Sequence, residues 1–189
     1  MAVEPSNLID PKHNYNRPFF NYGGASGLIT TVAAGSATAG HLYVLRNPSS
    51  TKKVFISRVR LAFHPTVAFG AAQAMVVALF KMTGYSAAHT GGTAITPAKR
   101  ITSEADASVA AGRIGTTGAL TAGTHTIAGQ PLLRAGGFGT TPAFEGVYEP
   151  RDDHPLILEE EEGLLVRNEV LMGASGVGVL AVEIDGWER

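Results

Sequence analysis

Along KKVFISRVRLAFHP, residues 52–65, apolar and polar side chains alternate. A strand there puts Ser57, Val59, Leu61 and Phe63 on one face and Arg58, Arg60 and Ala62 on the other, with Pro65 expected to stop it. The same period returns in GVGVLAVEIDGW, residues 176–187, where Leu180, Val182 and Ile184 alternate with Val179, Ala181 and Glu183. HPLILEEEEGLLVRNEV, residues 154–170, reads as a strand, a turn and a second strand. GLITTVAAG (27–35) and HLYVLRNPSS (41–50) are further strand candidates, the second ended by Asn47-Pro48. AMVVALFKMTGY (74–85) has alanine and methionine that also suit a helix, but Val76-Val77 and Gly84 favour a strand. Residues 86–126, mostly Gly, Ala, Thr and Ser, read as long connections with short strands around RIGTT and HTIAG. About eight strands at this spacing predict an all-β, antiparallel, jelly-roll-like β-sandwich.

Residues 1–27 lack this periodicity and are rich in Asn, Pro and Gly, so they are expected to form an extended N-terminal arm ahead of a sandwich domain over 28–189. HNYNRPFFNYGG (13–24) concentrates four aromatics in a segment that could hardly fold alone. It is either a strap on the chain's own sheet or an arm for a neighbouring subunit or shell. The second reading makes Tyr15, Arg17, Phe19, Phe20 and Tyr22 the candidate contact residues.

Composition narrows the partners. With 15 basic and 16 acidic residues in 189, net charge is -1, which gives no electrostatic reason to expect nucleic acid or an anionic membrane. Cysteine is absent, so thiolate zinc sites, disulfides and cysteine nucleophiles are excluded. The 23 glycines and 10 prolines, with 16% charged residues, fit a loop-rich β protein. The most apolar run, VAFGAAQAMVVALF (67–80), is too short for a membrane-spanning helix, and the N-terminus has no secretory pattern, so a soluble chain is expected.

Candidate chemistry is sparse. His13, His41, His64, His89, His125 and His154 show no pair at the spacing that sets two imidazoles on one strand or helix face, so each reads as a surface or loop residue. Arg151, Asp152, Asp153 and His154 offer two carboxylates and an imidazole, but just before Pro155 they read as a polar turn. No phosphate-binding loop, nucleophile elbow or zinc-protease pattern is present. Glu159 to Glu162 could reach the carboxyl spacing of an inverting glycosidase. Buried at an effective dielectric near 20, however, a like-charge pair at about 6.6 Å costs about 2.5 kcal/mol, against about 0.6 in water. The run therefore reads as a solvated hairpin tip closed by Gly163. No cofactor and no metal site are expected, and no catalytic residue is assigned.

Two segments carry a likeness. Residues 84–132 contain GGTA (Gly91 to Ala94), a Lys/Arg-Thr/Ser stretch (Lys99 to Ser103) and RIGTTGALTAGT (Arg113 to Thr124). Residues 155–189 contain EGLLVRN (Glu162 to Asn168), a Gly-rich turn and a strand ending in tryptophan and acidic residues (Val177 to Glu188). Together they resemble virion structural proteins of tailed bacteriophages. The resemblance implies a non-enzymatic sandwich that decorates or cements a capsid shell in the virion, with the major capsid protein as partner and a homotrimer as the assembly. A receptor- or glycan-binding head or tail-fibre domain is the alternative, although no heptads precede the sandwich.

Overall fold

The structure is a computed structural model that describes residues 19–30, 40–100, 107–150, 154–173 and 175–189. No helix occurs among them. In chain order the strands are β1 (Phe19–Asn21), β2 (Gly24–Ala25), β3 (Ile29–Thr30), β4 (His41–Asn47), β5 (Val54–Val67), β6 (Gln73–Ala87), β7 (Thr93–Ile95), β8 (Ala98–Lys99), β9 (Ala111–Ile114), β10 (Thr124–Gly139), β11 (Phe144–Tyr148), β12 (Leu156–Leu158), β13 (Glu162–Asn168) and β14 (Val177–Glu188). They form two antiparallel sheets. One runs β11-β5-β14-β1-β8, with β12 also on β5 and with β2 and β3 also on β14. The other runs β10-β6-β13-β4-β9-β7.

The main core lies where the facing sides of the sheets meet. β5 contributes Val54, Ile56, Val59, Leu61 and Phe63, and β14 contributes Leu180, Val182 and Ile184, all almost fully buried. Each such side chain withdrawn from water stabilises by about 1.5–3 kcal/mol. The expected face of β5 needs one correction. Between Asp185↔Arg58 and Gly186↔Ile56 the register slips, so Ser57 is an extra residue in β5 and Ile56, not Ser57, continues the buried row. The Ser57 hydroxyl donates to the Asp185 carbonyl at this bulge. Pro65 does not end the strand either. β5 continues to Val67, with Pro65 opposite Gly178.

β6 is buried on both sides. Met75, Val77 and Leu79 face the main core, while Ala78, Phe80 and Met82 join Val44, Leu165, Tyr85 and Leu120 in a second cluster on the opposite side of the sheet. That cluster exists because part of the chain between β6 and β10, Leu120 included, covers the outer face.

The boundary expected at residue 28 is not seen. β1 pairs with β14 from Phe19↔Trp187 to Asn21↔Asp185, and β2 pairs Gly24 with Val182. Gly23 makes this approach possible: a Cβ there would lie 2.2 Å from the Val182 carbonyl oxygen. Residues 19–27 therefore belong to the sandwich, as the strap reading has it. Residues 1–18, with Tyr15 and Arg17, lie outside the described residues.

The glutamate run is exposed at Glu159 to Glu161, as expected of a solvated turn, but the hairpin is corrected. β12 pairs with β5 and β13 with β4 and β6, so residues 159–161 carry the chain from one sheet to the other instead of closing a hairpin. The turn is tight. Glu161 takes φ 58°, its N–H donates to the Asn47 carbonyl, and its own carbonyl accepts from the Tyr85 N–H. Lys53 pairs with Glu159 and Lys81 with Glu162, each at 2.7 Å, so these two carboxylates have basic partners from elsewhere in the fold.

Candidate functional site

Two features stand out, a buried histidine cluster and an apolar end of the sandwich.

His41 opens β4, His89 follows the end of β6, and His125 is the second residue of β10. Backbone pairing brings these segments together. Thr124 lies opposite Ala87, the Leu120 N–H donates to the His41 carbonyl at 2.7 Å, and Thr121 exchanges two backbone hydrogen bonds with Thr90. Gly123 is required for this crossing, because a Cβ there would come within 2.0 Å of the Ala87 carbonyl oxygen. His41 and His89 are buried, and His125 is half-buried.

The rings converge. Centroids are 5.0 Å apart for His41 and His89, 5.4 Å for His41 and His125, and 5.1 Å for His89 and His125. One ring nitrogen from each lies within 4.8 Å of the other two. His41 Nδ1 and His89 Nε2 are hydrogen-bonded at 2.8 Å, and the other nitrogen of His89, Nδ1, is hydrogen-bonded to the Tyr85 hydroxyl. The Nδ1 of His125 is buried and has no hydrogen-bond partner. Two cations flank the group. Arg46 lies 5.2 Å from the Tyr85 ring centroid, and Arg167 lies 4.6 Å from that of Phe80.

Burial pushes His41 and His89 down to about 4, each aided by neighbouring imidazoles and His41 also by Arg167. His125 is lowered by burial too, with the nearby Gly123 backbone opposing this and Arg167 adding to it. The rings are thus neutral at pH 7. An unfolded histidine, at about 6.5, gains its proton earlier as pH falls, so between about 6.5 and 4 the unfolded chain binds more protons and stability declines. The protein is expected to lose up to about 3 kcal/mol for each of these two rings across this window, each worth roughly 6–12 °C in thermal midpoint. A series of melts in chelator-containing buffers checks this. A flat profile would mean the rings are not withdrawn from water.

A cavity of about 320 Å³ adjoins the cluster, lined by Tyr85 and His89 together with Val44, Arg46, Ile95 and Arg113. Its walls are largely apolar and carry no carboxylate.

At the other feature, Leu28, Val67, Phe138 and Leu171 are exposed large apolar residues, Phe138 to 78% and Leu171 to 73%. Strand register draws them toward one end. Val177 lies opposite both Val67 and Thr30, Phe138 lies opposite Ala74, the Phe69 N–H reaches the Thr140 carbonyl, and the Gly173 N–H reaches the Gln73 side chain. Val147, also exposed, lies apart on β11.

The residues singled out in sequence fare differently. Phe20 and Tyr22 are core residues, so they cannot offer a free contact surface, and Phe19 packs near Trp187 with ring centroids 6.0 Å apart. Arg151, Asp152 and Asp153 lie outside the described residues, so the 151–154 cluster has no described geometry. The three converging histidines, read as scattered surface residues, come from segments 48 and more residues from His41. No local spacing announces them, and only the strand pairing unites them. No protein-family profile, curated protein or solved structure matches this chain.

Proposed function

We propose that the chain is a structural protein of a tailed-phage virion, a jelly-roll-type sandwich that decorates or cements the capsid shell through contacts with the major capsid protein. The observation that carries this reading is the gathering of Leu28, Val67, Phe138 and Leu171 at one end of the sandwich. Exposed apolar side chains gathered at one end favour a protein partner, since leaving them in water forfeits about 25 cal/mol per Å² that contact would recover. The resemblance of residues 84–132 and 155–189 to virion proteins supports the same assignment. Against a glycosidase role, Glu159 and Glu162 are engaged by Lys53 and Lys81 in the turn between the sheets.

Attachment as a homotrimer would let three weak contacts act at high effective concentration. The test is to bind purified protein to shells assembled without it. The double variant Phe138→Asp, Leu171→Asp should fold normally, since both positions are exposed, and should lose shell binding. Undiminished binding by this variant would remove the apolar end from the interface and the reading's main support.

A further inference from the structure

We propose that His41, His89 and His125 form a binding site for one divalent transition-metal ion of the zinc class, with the fourth position taken by water or a small anion. The donor set selects the metal. Three imidazoles suit zinc, cobalt, nickel or copper, whereas calcium and magnesium require oxygen ligands, which this cluster lacks. Geometry agrees. At a metal–nitrogen distance of about 2.0–2.1 Å, tetrahedral nitrogens stand roughly 3.3–3.4 Å apart. The His41–His89 contact of 2.8 Å would open slightly, and nitrogens now up to 4.8 Å apart would close through modest ring rotations.

The surroundings fit a ligating role. Tyr85 holds His89 at Nδ1, which leaves Nε2 for the ion and fixes the ring as an outer hydrogen-bond partner does in metal sites. One proton lies in the hydrogen bond between His41 and His89; an ion takes its place there, and the proton moves to the other nitrogen of the same ring, which ligates as a neutral imidazole. The unsatisfied Nδ1 of His125 marks a buried polar atom with unused capacity. Arg167 works the other way, since its charge bears on His41 and His125 and repels a cation. That repulsion favours an anionic fourth ligand such as hydroxide or chloride. The ion would tie the start of β4, the segment after β6 and the start of β10 at one point, clamping the covering segment onto the sheet. This inference is independent of the virion reading, because it concerns the chain alone.

The experiment is a titration of metal-stripped full chain with Co²⁺ at neutral pH, followed by displacement with Zn²⁺. The expected result is one Co²⁺ per chain with the visible absorption of a four-coordinate site, bleached by Zn²⁺, and a higher thermal midpoint in Zn²⁺ than in chelator. His125→Ala, at the least buried of the three rings, should abolish the absorption, and Tyr85→Phe should weaken binding by about 10- to 100-fold. Imidazole NMR of the wild type gives a readout that needs no variant: Zn²⁺ should shift the rings of His41, His89 and His125 and leave those of His13, His64 and His154 in place. Folded wild type without the absorption, absorption that survives His125→Ala, or shifts confined to the other three rings would overturn the proposal.

Discussion

Phe20→Ala is expected to destabilise the isolated protein by about 3–5 kcal/mol, a large part of the total stability of an ordinary domain. Phe20 is 1% exposed and packs in the main core near Tyr22, with ring centroids 5.9 Å apart. Its strand, β1, fills the edge of β14 between Trp187 and Asp185. Truncation leaves a cavity that a β-sandwich with both sheets paired around it collapses only partly. Phe19→Ala, at a half-buried position beside Trp187, should cost much less. Chemical denaturation of the two variants separates the cases. Equal and small effects would mean that the N-terminal strand is a detachable arm after all.

Glu188→Ala is the second substitution expected to have a large effect, about 3 kcal/mol or more. The carboxylate is 2% exposed and accepts hydrogen bonds from the Tyr22 hydroxyl at 3.2 Å, the Ser108 hydroxyl at 2.5 Å and the Val109 N–H at 2.9 Å. It therefore joins β14, the residue after β1, and the segment leading into β9 at one buried point. Alanine leaves the buried Tyr22 hydroxyl and the half-buried Ser108 and Val109 donors unpaired, and a buried orphan costs about 1–3 kcal/mol. Burial and the adjoining carboxylate both push the Tyr22 hydroxyl up, so it stays a donor at any working pH. Glu188→Gln keeps one acceptor oxygen but turns an amide toward donors, so an intermediate loss is expected. The neighbouring Trp187, stacked on Phe55 with centroids 5.3 Å apart, gives a fluorescence signal for the unfolding transition. A Glu188→Ala variant as stable as the wild type would show that water reaches the site.

The strands legible in sequence are those that bury one face. β14 and most of β5 alternate because one side meets the core and the other faces solvent. β6 looked partly helical because the covering segment buries its outer face as well, which erases the alternation. β10, sixteen residues long, was seen only at its HTIAG start. Its GQPLLRAGGFG portion carries glycine and proline that normally argue against a strand, and the register shift between Ala128 and Leu133 accommodates them. The aromatic cluster of residues 13–24 is plain in the sequence, but its pattern does not say whether it covers the chain's own sheet or another subunit's. The histidine cluster was illegible because strand pairing, not spacing, assembles it. The bulge at Ser57 was hidden because one extra residue leaves the local alternation intact on either side of it.

Cryo-electron microscopy of intact virions that contain the chain tests the functional reading most directly. The expected density is a two-sheet sandwich on the outside of the capsid, repeated around a symmetry axis, with the end bearing Leu28, Val67, Phe138 and Leu171 against the shell. Density found only at the tail, or a shell-bound sandwich with that end turned to solvent, would contradict it.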